Sequence, residues 1–311
     1  MRVVFMGTPQ FAVPSLEALV QAGHQVAGVF CQPDRPAGRG NRLVCCPVKL
    51  RAEQLDIPVY QVERIRSPQG LEALKALNPQ LCVTAAFGQI LSRENLAVPP
   101  LGTVNVHASL LPRHRGAAPI QWAILMGDQE TGVTTMFTDP GLDTGDMLLK
   151  ASTPIGPQET AGELTQRLSQ MGARLLVETL EAIGRGDCPR TPQDPGLATY
   201  EPMLDKAMGR LDFTRSAQEL ERWVRGLNPW PGAWAQMEQG TLKIWAAQAL
   251  DQTFPGQPGQ VVVSSPKEGL TVACGQGALK LTQIQGPNAK RMDARAYLMG
   301  KALPVGMVLN G

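Results

Sequence analysis

What this sequence lacks narrows it first. No apolar run approaches the ~18 residues of a membrane-spanning helix. The opening Met1-Arg2-Val3-Val4-Phe5-Met6-Gly7 reaches a strand-and-turn pattern too early for a signal peptide, so a cytoplasmic location is expected. The six cysteines (Cys31, Cys45, Cys46, Cys82, Cys188 and Cys274) form no C-x-x-C pair, and the histidines supply no His-x-x-x-His partner. Zinc spacing and a disulfide framework are therefore not expected, and no metal is. The turn after the first apolar run, Gly7-Thr8-Pro9-Gln10-Phe11-Ala12, lacks the G-x-G-x-x-G of a dinucleotide site, and G-x-x-x-x-G-K-[ST] occurs nowhere. NAD, FAD and ATP are thus not expected as cofactors.

What is present suits a two-domain globular protein: 311 residues, 43% hydrophobic and 18% charged. The net charge of +2 divides unevenly. Residues 1–205 hold 17 Lys and Arg against 20 Asp and Glu, and residues 206–311 hold 12 against 7. A basic second half suits a polyanionic partner, although a solvated surface with a chance excess reads the same way.

Over the first 180 residues, short apolar runs alternate with amphipathic stretches. Strands are predicted over 3–6, 26–31, 81–86, 103–107, 133–138 and 147–155, and helices over 15–22, 68–77, 117–126 and 160–183. The runs are nearly continuous in Val, Ala and Phe, as strands covered on both faces should be. This predicts an α/β, Rossmann-like, doubly wound and mostly parallel sheet in a first domain over 1–188. Gly and Pro then crowd the text, predicting an extended linker over 189–205. The second domain, 206–311, shows one helix over 216–225 and short β-like runs separated by Gly and Pro, which predicts a small barrel.

Four segments carry candidate chemistry. In Asn105-Val106-His107 the strand alternation sends a carboxamide and an imidazole to one face, at the end of a strand where open α/β sheets bind ligands. On spacing alone, two buried polar residues satisfied by neighbours are the better reading. Pro140-Gly141-Leu142-Asp143-Thr144-Gly145-Asp146 sets acids among glycines, where tight turns bring a carboxylate close to another loop, and Asp146 reads as a plain turn residue. Arg113 and Arg115 border a helix with Pro near its first turn, a place for an anionic or carbonyl-bearing ligand or simply for solvated charges. The stretch from Gln32 to Leu43 is long for a doubly wound fold, and its Arg35, Arg39 and Arg42 suit phosphates, or a flexible basic loop.

With those residues in view, the chain resembles the methionyl-tRNA branch of the folate-dependent formyltransferases from end to end. Four blocks carry the resemblance: Phe5-Met6-Gly7-Thr8-Pro9, the run from Gln32 to Gly40, the run from Asn105 to Ile120, and the run from Gly141 to Asp146. Asn228-Pro229-Trp230-Pro231 and the arginine loop narrow it to that branch. The resemblance implies a formyltransferase domain followed by an OB-fold-like barrel that contributes to tRNA binding, with 10-formyltetrahydrofolate as donor and initiator methionyl-tRNA as acceptor. It implies Asn105, His107 and Asp143 as the catalytic set: Asn105 and His107 stabilise the oxyanion, while Asp143 orients the ring and moves a proton. It maps the folate site to Ser109, Leu110, Leu111 and Pro112, with Phe87, Gln89, Ile90 and Leu91 and the backbone of 138–143 lining the pterin pocket. Arg35, Arg39 and Arg42 fall on its tRNA-contacting loop.

The sequence departs from that pattern at Asn41, where a second basic residue is usual, at Cys45-Cys46, where small residues are usual, and at Met203 and Ala207-Met208. A small nucleotide acceptor, glycinamide ribonucleotide or an amino-sugar nucleotide, would use the same three residues, and a non-catalytic folate- or RNA-binding protein would keep them for structure. A monomer is expected.

Overall fold

The computed structural model describes residues 1–37 and 42–310. They divide into two compact units, one of residues 1–119, 130–153 and 165–201, the other of 120–129, 154–164 and 202–311.

The first unit is built on β1 (Arg2–Gly7), α1 (Val13–Gln21), β2 (Gln25–Cys31), β3 (Arg35–Ala37), β4 (Arg42–Val44), α2 (Pro47–Gln54), β5 (Val59–Gln61), α3 (Pro68–Ala76), β6 (Leu81–Ala85), α4 (Arg93–Leu96), β7 (Thr103–His107) and β8 (Arg115–Gly116). After α5 (Pro119–Met126), which belongs to the second unit from residue 120, come β9 (Glu130–Phe137), β10 (Met147–Pro154), α6 (Ala161–Arg185) and β11 (Tyr200–Glu201). The main sheet has the order β10-β9-β7-β6-β1-β2-β5. β7, β6, β1, β2 and β5 are parallel, and β9 runs antiparallel to β7. Val3, Val4, Phe5 and Met6 are fully buried, as a central strand covered on both faces requires.

The chain winds outward from β1 through β2 and β5, then returns to the other side of β1 with β6 and β7. That reversal puts the crevice of a doubly wound sheet at the carboxyl ends of β1, β6 and β7. The long helix α6 buries Leu164, Leu168, Leu175, Leu176 and Leu180. It lies so close to β7 that a Cβ on Gly172 would come within 2.8 Å of Val106 Cγ1. Val106 is thereby fixed on the helix side, and Asn105 and His107 must face the other way. The arginine stretch, read from the sequence as a loop, includes the paired strands β3 and β4, and β5, β8 and β11 had no sequence expectation.

The second unit carries α7 (Ala217–Gly226), β12 (Ala233–Met237), β13 (Gly240–Leu250), β14 (Val261–Ser265), β15 (Gly269–Ala273), β16 (Ala278–Gln285), β17 (Met292–Asp293) and α8 (Ala294–Gly300). Its sheet is antiparallel, in the order β12-β13-β16-β15-β14, with β17 on β16. The last residues join its two edges. Asn310 bridges Gln236 on β12, while Val308 bridges Gln260 at the start of β14. Leu309 N donates to Gly259 O at 2.7 Å, and Val261 N to Met307 O at 2.8 Å. Both edges are therefore covered, which removes the template that an open edge strand presents. Leu309 itself is buried in the core with Leu211, Phe213, Val261 and Leu270. No helix among the described residues is long and apolar enough to cross a membrane.

Leu309→Ala should cost about 2 to 5 kcal/mol, because it empties a core site and loosens the segment that joins the edges; urea unfolding followed by tryptophan fluorescence measures it. A second test concerns the start of α7, where Ser216 accepts from Glu219 N at 3.2 Å and Glu219 Oε2 accepts from Ser216 N at 3.1 Å. The hydrogen bonds from Ser216 lower the Glu219 pKa from 4.5. The stabilisation is complete above the unfolded value and is lost as pH falls through the depressed folded value. The stability gap between the parent and Glu219→Ala should accordingly narrow when urea titrations are moved from about pH 6 to about pH 3.

Candidate active site

β7 delivers the first two residues. Thr84, paired with Asn105 across β6 and β7, donates its hydroxyl to Asn105 Oδ1 at 2.9 Å. This occupies the carboxamide oxygen and leaves the two N–H donors of Nδ2 available. His107 is 6% exposed. Its Nε2 lies 2.9 Å from the carbonyl oxygen of His114, and because a carbonyl only accepts, Nε2 carries a hydrogen. Nδ1 faces Asp143 Oδ1 at 3.7 Å, beyond hydrogen-bond reach.

Asp143 reaches this position through a stitched turn. Asp139 Oδ1 accepts from Gly141 N at 3.1 Å and from Thr144 Oγ1 at 2.7 Å, and Asp143 sits at φ +53°. Its Oδ2 accepts from Gly116 N at 2.9 Å, which turns Oδ1 toward the imidazole. Gln193 Nε2 holds the turn from behind, donating to Asp143 O and Gly145 O, each at 2.8 Å.

The turn between β7 and β8 is equally bound. Ser109 is fully buried; its Oγ donates to Arg113 O at 2.6 Å and its carbonyl accepts from Thr134 Oγ1 at 2.7 Å. Lys150 Nζ donates to Leu111 O at 2.6 Å, and burial pulls its ammonium pKa below the usual lysine value. His114, at φ +55° and 3% exposed, aims its carbonyl at His107 while its own Nδ1 donates to Glu201 Oε1 at 2.9 Å. β11 pairs in parallel with β8 beside it. A Cβ on Gly116 would lie 2.7 Å from Glu201 O, so only glycine, here at φ +106°, lets the two backbones meet.

The structure brings Asn105, His107 and Asp143 together at one place. The other expected residues are more dispersed. Leu111 packs with Met136 and Met147, and Leu110 and Pro112 are half-buried. Phe87 and Leu91 belong to the core with Val4, Met6 and Phe30. Gln89 is engaged with Ile65 N at 2.6 Å and Val62 O at 3.0 Å, while Ile90 is 72% exposed. Arg35 is exposed on β3. Arg39 lies outside the described residues, and of Arg42 only the backbone, in β4, is described. Arg115 proves to be neither solvated nor open to a ligand. It is 4% exposed, donates to Gln193 Oε1 at 3.0 and 2.7 Å and to Tyr200 OH at 2.6 Å, and lies over the Tyr200 ring.

Sequence reasoning missed Thr84, His114, Gln193, Thr199 and Glu201. Thr84 left a faint signal as a hydroxyl in a buried apolar strand, whereas Gln193 and Glu201 stand in a Pro- and Gly-rich stretch without periodicity. No group of His, Cys, Asp and Glu among the described residues is arranged to hold a metal.

Residues 1–180 match the formyl transferase family, and residues 203–302 match the formyl transferase C-terminal domain. A methionyl-tRNA formyltransferase of Symbiobacterium thermophilum is 50% identical over 307 residues, covering 98% of this chain and 94% of that protein. One of Citrifermentans bemidjiense is 48% identical over 310 residues, covering 100% and 96%. Among solved structures, an N-formyltransferase from Helicobacter canadensis in complex with folinic acid and dTDP-3-aminofucose aligns with a TM-score of 0.65 at 18% identity, covering 90% of this chain and 99% of that one. HypX from Aquifex aeolicus aligns at 0.66 and 18% identity, covering 97% of this chain and 48% of that one. At such identity these structures speak to the fold.

Arg115→Ala should destabilise the protein by about 2 to 4 kcal/mol, since it strands Gln193 and Tyr200 without their charged donor. A urea midpoint unchanged from the parent would contradict the role given to this tie.

Proposed function

Because this chain belongs to the formyl transferase family and matches methionyl-tRNA formyltransferases over its full length, we propose that the cluster at the end of β7 transfers a formyl group from 10-formyltetrahydrofolate to the amino group of initiator methionyl-tRNA. The observation that carries the reading is the meeting of Asn105, His107 and Asp143, with His107 and Asp143 3.7 Å apart. The acceptor rests on full-length identities of 43% to 50% to proteins of that one name.

The donor supplies the formyl carbon and a nitrogen that departs from it. The residues fit such a molecule at the loop leading to Asp143, where the buried Thr138 Oγ1 has no partner among the described residues and suits the polar edge of a pterin. Leu110, Pro112 and the exposed Ile90 offer apolar contact, and Ser109 and Leu111 act through the backbone they hold in place.

As the amine adds to the formyl carbon, the formyl oxygen gains negative charge. Asn105 Nδ2 donates to it, oriented in advance by Thr84. His107 donates to it from Nδ1 in the form that carries a hydrogen on both ring nitrogens, since Nε2 is held by His114. Asp143 Oδ1 orients that edge, accepts the proton released by the amine and passes it, directly or through water, to the nitrogen that departs as its bond to the formyl carbon breaks. Direct transfer needs no enzyme nucleophile, and the Ser109 hydroxyl is already engaged with Arg113 O. Arg35, Arg39 and Arg42 contribute to tRNA binding, as does the basic second unit.

Purified protein given methionyl-tRNA, glycinamide ribonucleotide or an amino-sugar nucleotide with 10-formyltetrahydrofolate should formylate the tRNA alone, read by acid-gel mobility for the first and mass spectrometry for the others. Asn105→Ala, His107→Ala and Asp143→Asn should each retain folate binding while single-turnover transfer falls by about 10²- to 10³-fold. Full transfer by any of the three removes that residue from the mechanism, and formylation of a small nucleotide alone overturns the acceptor.

A further inference from the structure

Arg115 is a buried cation that the mechanism leaves unused. No carboxylate pairs with it among the described residues; its guanidinium meets a neutral amide and a phenol, Nε and Nη2 donating to Gln193 Oε1 and Nη1 to Tyr200 OH. A buried charge without a counter-charge is costly, and a glutamate at 193 would supply one. What the amide offers and a carboxylate cannot is a donor. Gln193 is half-buried between two exposed neighbours, Pro192 and Asp194, so its side chain is the one that turns inward there.

The amide has a single workable orientation. A guanidinium only donates and a carbonyl only accepts, so Oε1 must face Arg115 while the two hydrogens of Nε2 go to Asp143 O and Gly145 O. These contacts close a ring. Gly116 follows Arg115 in β8, and its N–H donates to Asp143 Oδ2 at 2.9 Å. The side chain of Arg115 reaches the main-chain carbonyl of the same aspartate through Gln193. Asp143 is thus gripped at its carboxylate by one residue of β8 and at its backbone by the residue before it. The gripped turn is a demanding one: Asp143 sits at φ +53°, and a Cβ on Gly145 would overlap Phe137 O.

We infer that Gln193 is a positioning residue for the transfer reaction: its amide, oriented by Arg115, holds the backbone of the Asp143 turn so that Oδ1 stays directed at His107 Nδ1. It acts through Asp143, because its oxygen and both of its amide hydrogens are spent on the tether. The buried arginine then has a purpose beyond stability, since its donors prevent the amide from turning its oxygen toward the two carbonyls. The effect on rate rests on the function proposed above, whereas the tether does not.

Two substitutions in the full chain separate positioning from a purely structural role. Gln193→Glu keeps the shape and neutralises Arg115, but it sets an oxygen against the two carbonyls and so repels the turn. Gln193→Met removes the tether without repulsion and leaves the guanidinium with Tyr200 alone. The urea midpoint should therefore lie nearer the parent's in the Glu variant than in the Met variant. Single-turnover formyl transfer to methionyl-tRNA should run in the opposite order, falling by about 10- to 100-fold for Glu and by less for Met. KM for methionyl-tRNA and folate binding should match the parent's in both. Hydrogen exchange of the peptide over 139–146, followed by mass spectrometry without substrate, should quicken in the Glu variant while peptides from β1 and β6 keep the parent's rates. Transfer rates that follow the order of stability, or exchange over 139–146 equal to the parent's, overturn the proposal. A parent protein that leaves methionyl-tRNA unformylated overturns the function proposed above instead, and the exchange measurement still decides whether Gln193 holds the turn.

Discussion

The hydrogen bond from His107 Nε2 to the carbonyl of His114 is the constraint on which the site depends. It fixes the plane of the imidazole, puts a hydrogen on Nε2, and leaves Nδ1 as the edge that meets Asp143. That carbonyl points inward only because His114 adopts a left-handed backbone, at φ +55°. Such a conformation is unfavourable for a non-glycine residue and must be held by its surroundings. His114 N donates to Thr199 Oγ1 at 2.8 Å, and the ring is held by Glu201. The geometry around His107 is therefore stabilised from a stretch of chain some eighty residues further on.

That stretch works as a strap. Thr191 pairs with Met147, Gln193 holds the Asp143 turn and the Arg115 guanidinium, and Thr199 to Glu201 runs beside β8. Each contact restrains one of two loops, the one after β7 or the one after β9, whose relative position sets the His107–Asp143 separation. Of the three residues only Asp143 sits on a loop, and the sheet alone would leave that loop and the one after β7 free to move. Backbone hydrogen bonds and a buried charge-assisted fork give the strap its stiffness without regular secondary structure. The same economy appears in the second unit, where a few terminal residues, themselves irregular, join the two edges of an antiparallel sheet.

Much of the framework was legible in the sequence because its signals are local. Continuous apolar runs at 3–6, 81–86 and 103–107 could only be strands buried on both faces, and the leucine spacing along 160–183 could only be a helix with one buried side. Alternation along a strand was enough to put Asn105 and His107 on one face, and glycines around Asp143 were enough to mark a tight turn.

The tertiary structure decided which groups those residues meet. The partners of Asn105, His107 and Asp143 are Thr84, His114, Gly116 and Gln193, and none has a periodic or compositional signature. Gln193 and Glu201 fall where Pro and Gly predict only an extended connection, and Arg115, basic beside a helix start, is paired inside the fold rather than open to a ligand. The reason is the range of the forces involved. Periodicity and turn preference act between neighbours in sequence and can be read from one chain, whereas a hydrogen bond between residues eighty apart exists only after the sheet has brought them within 3 Å.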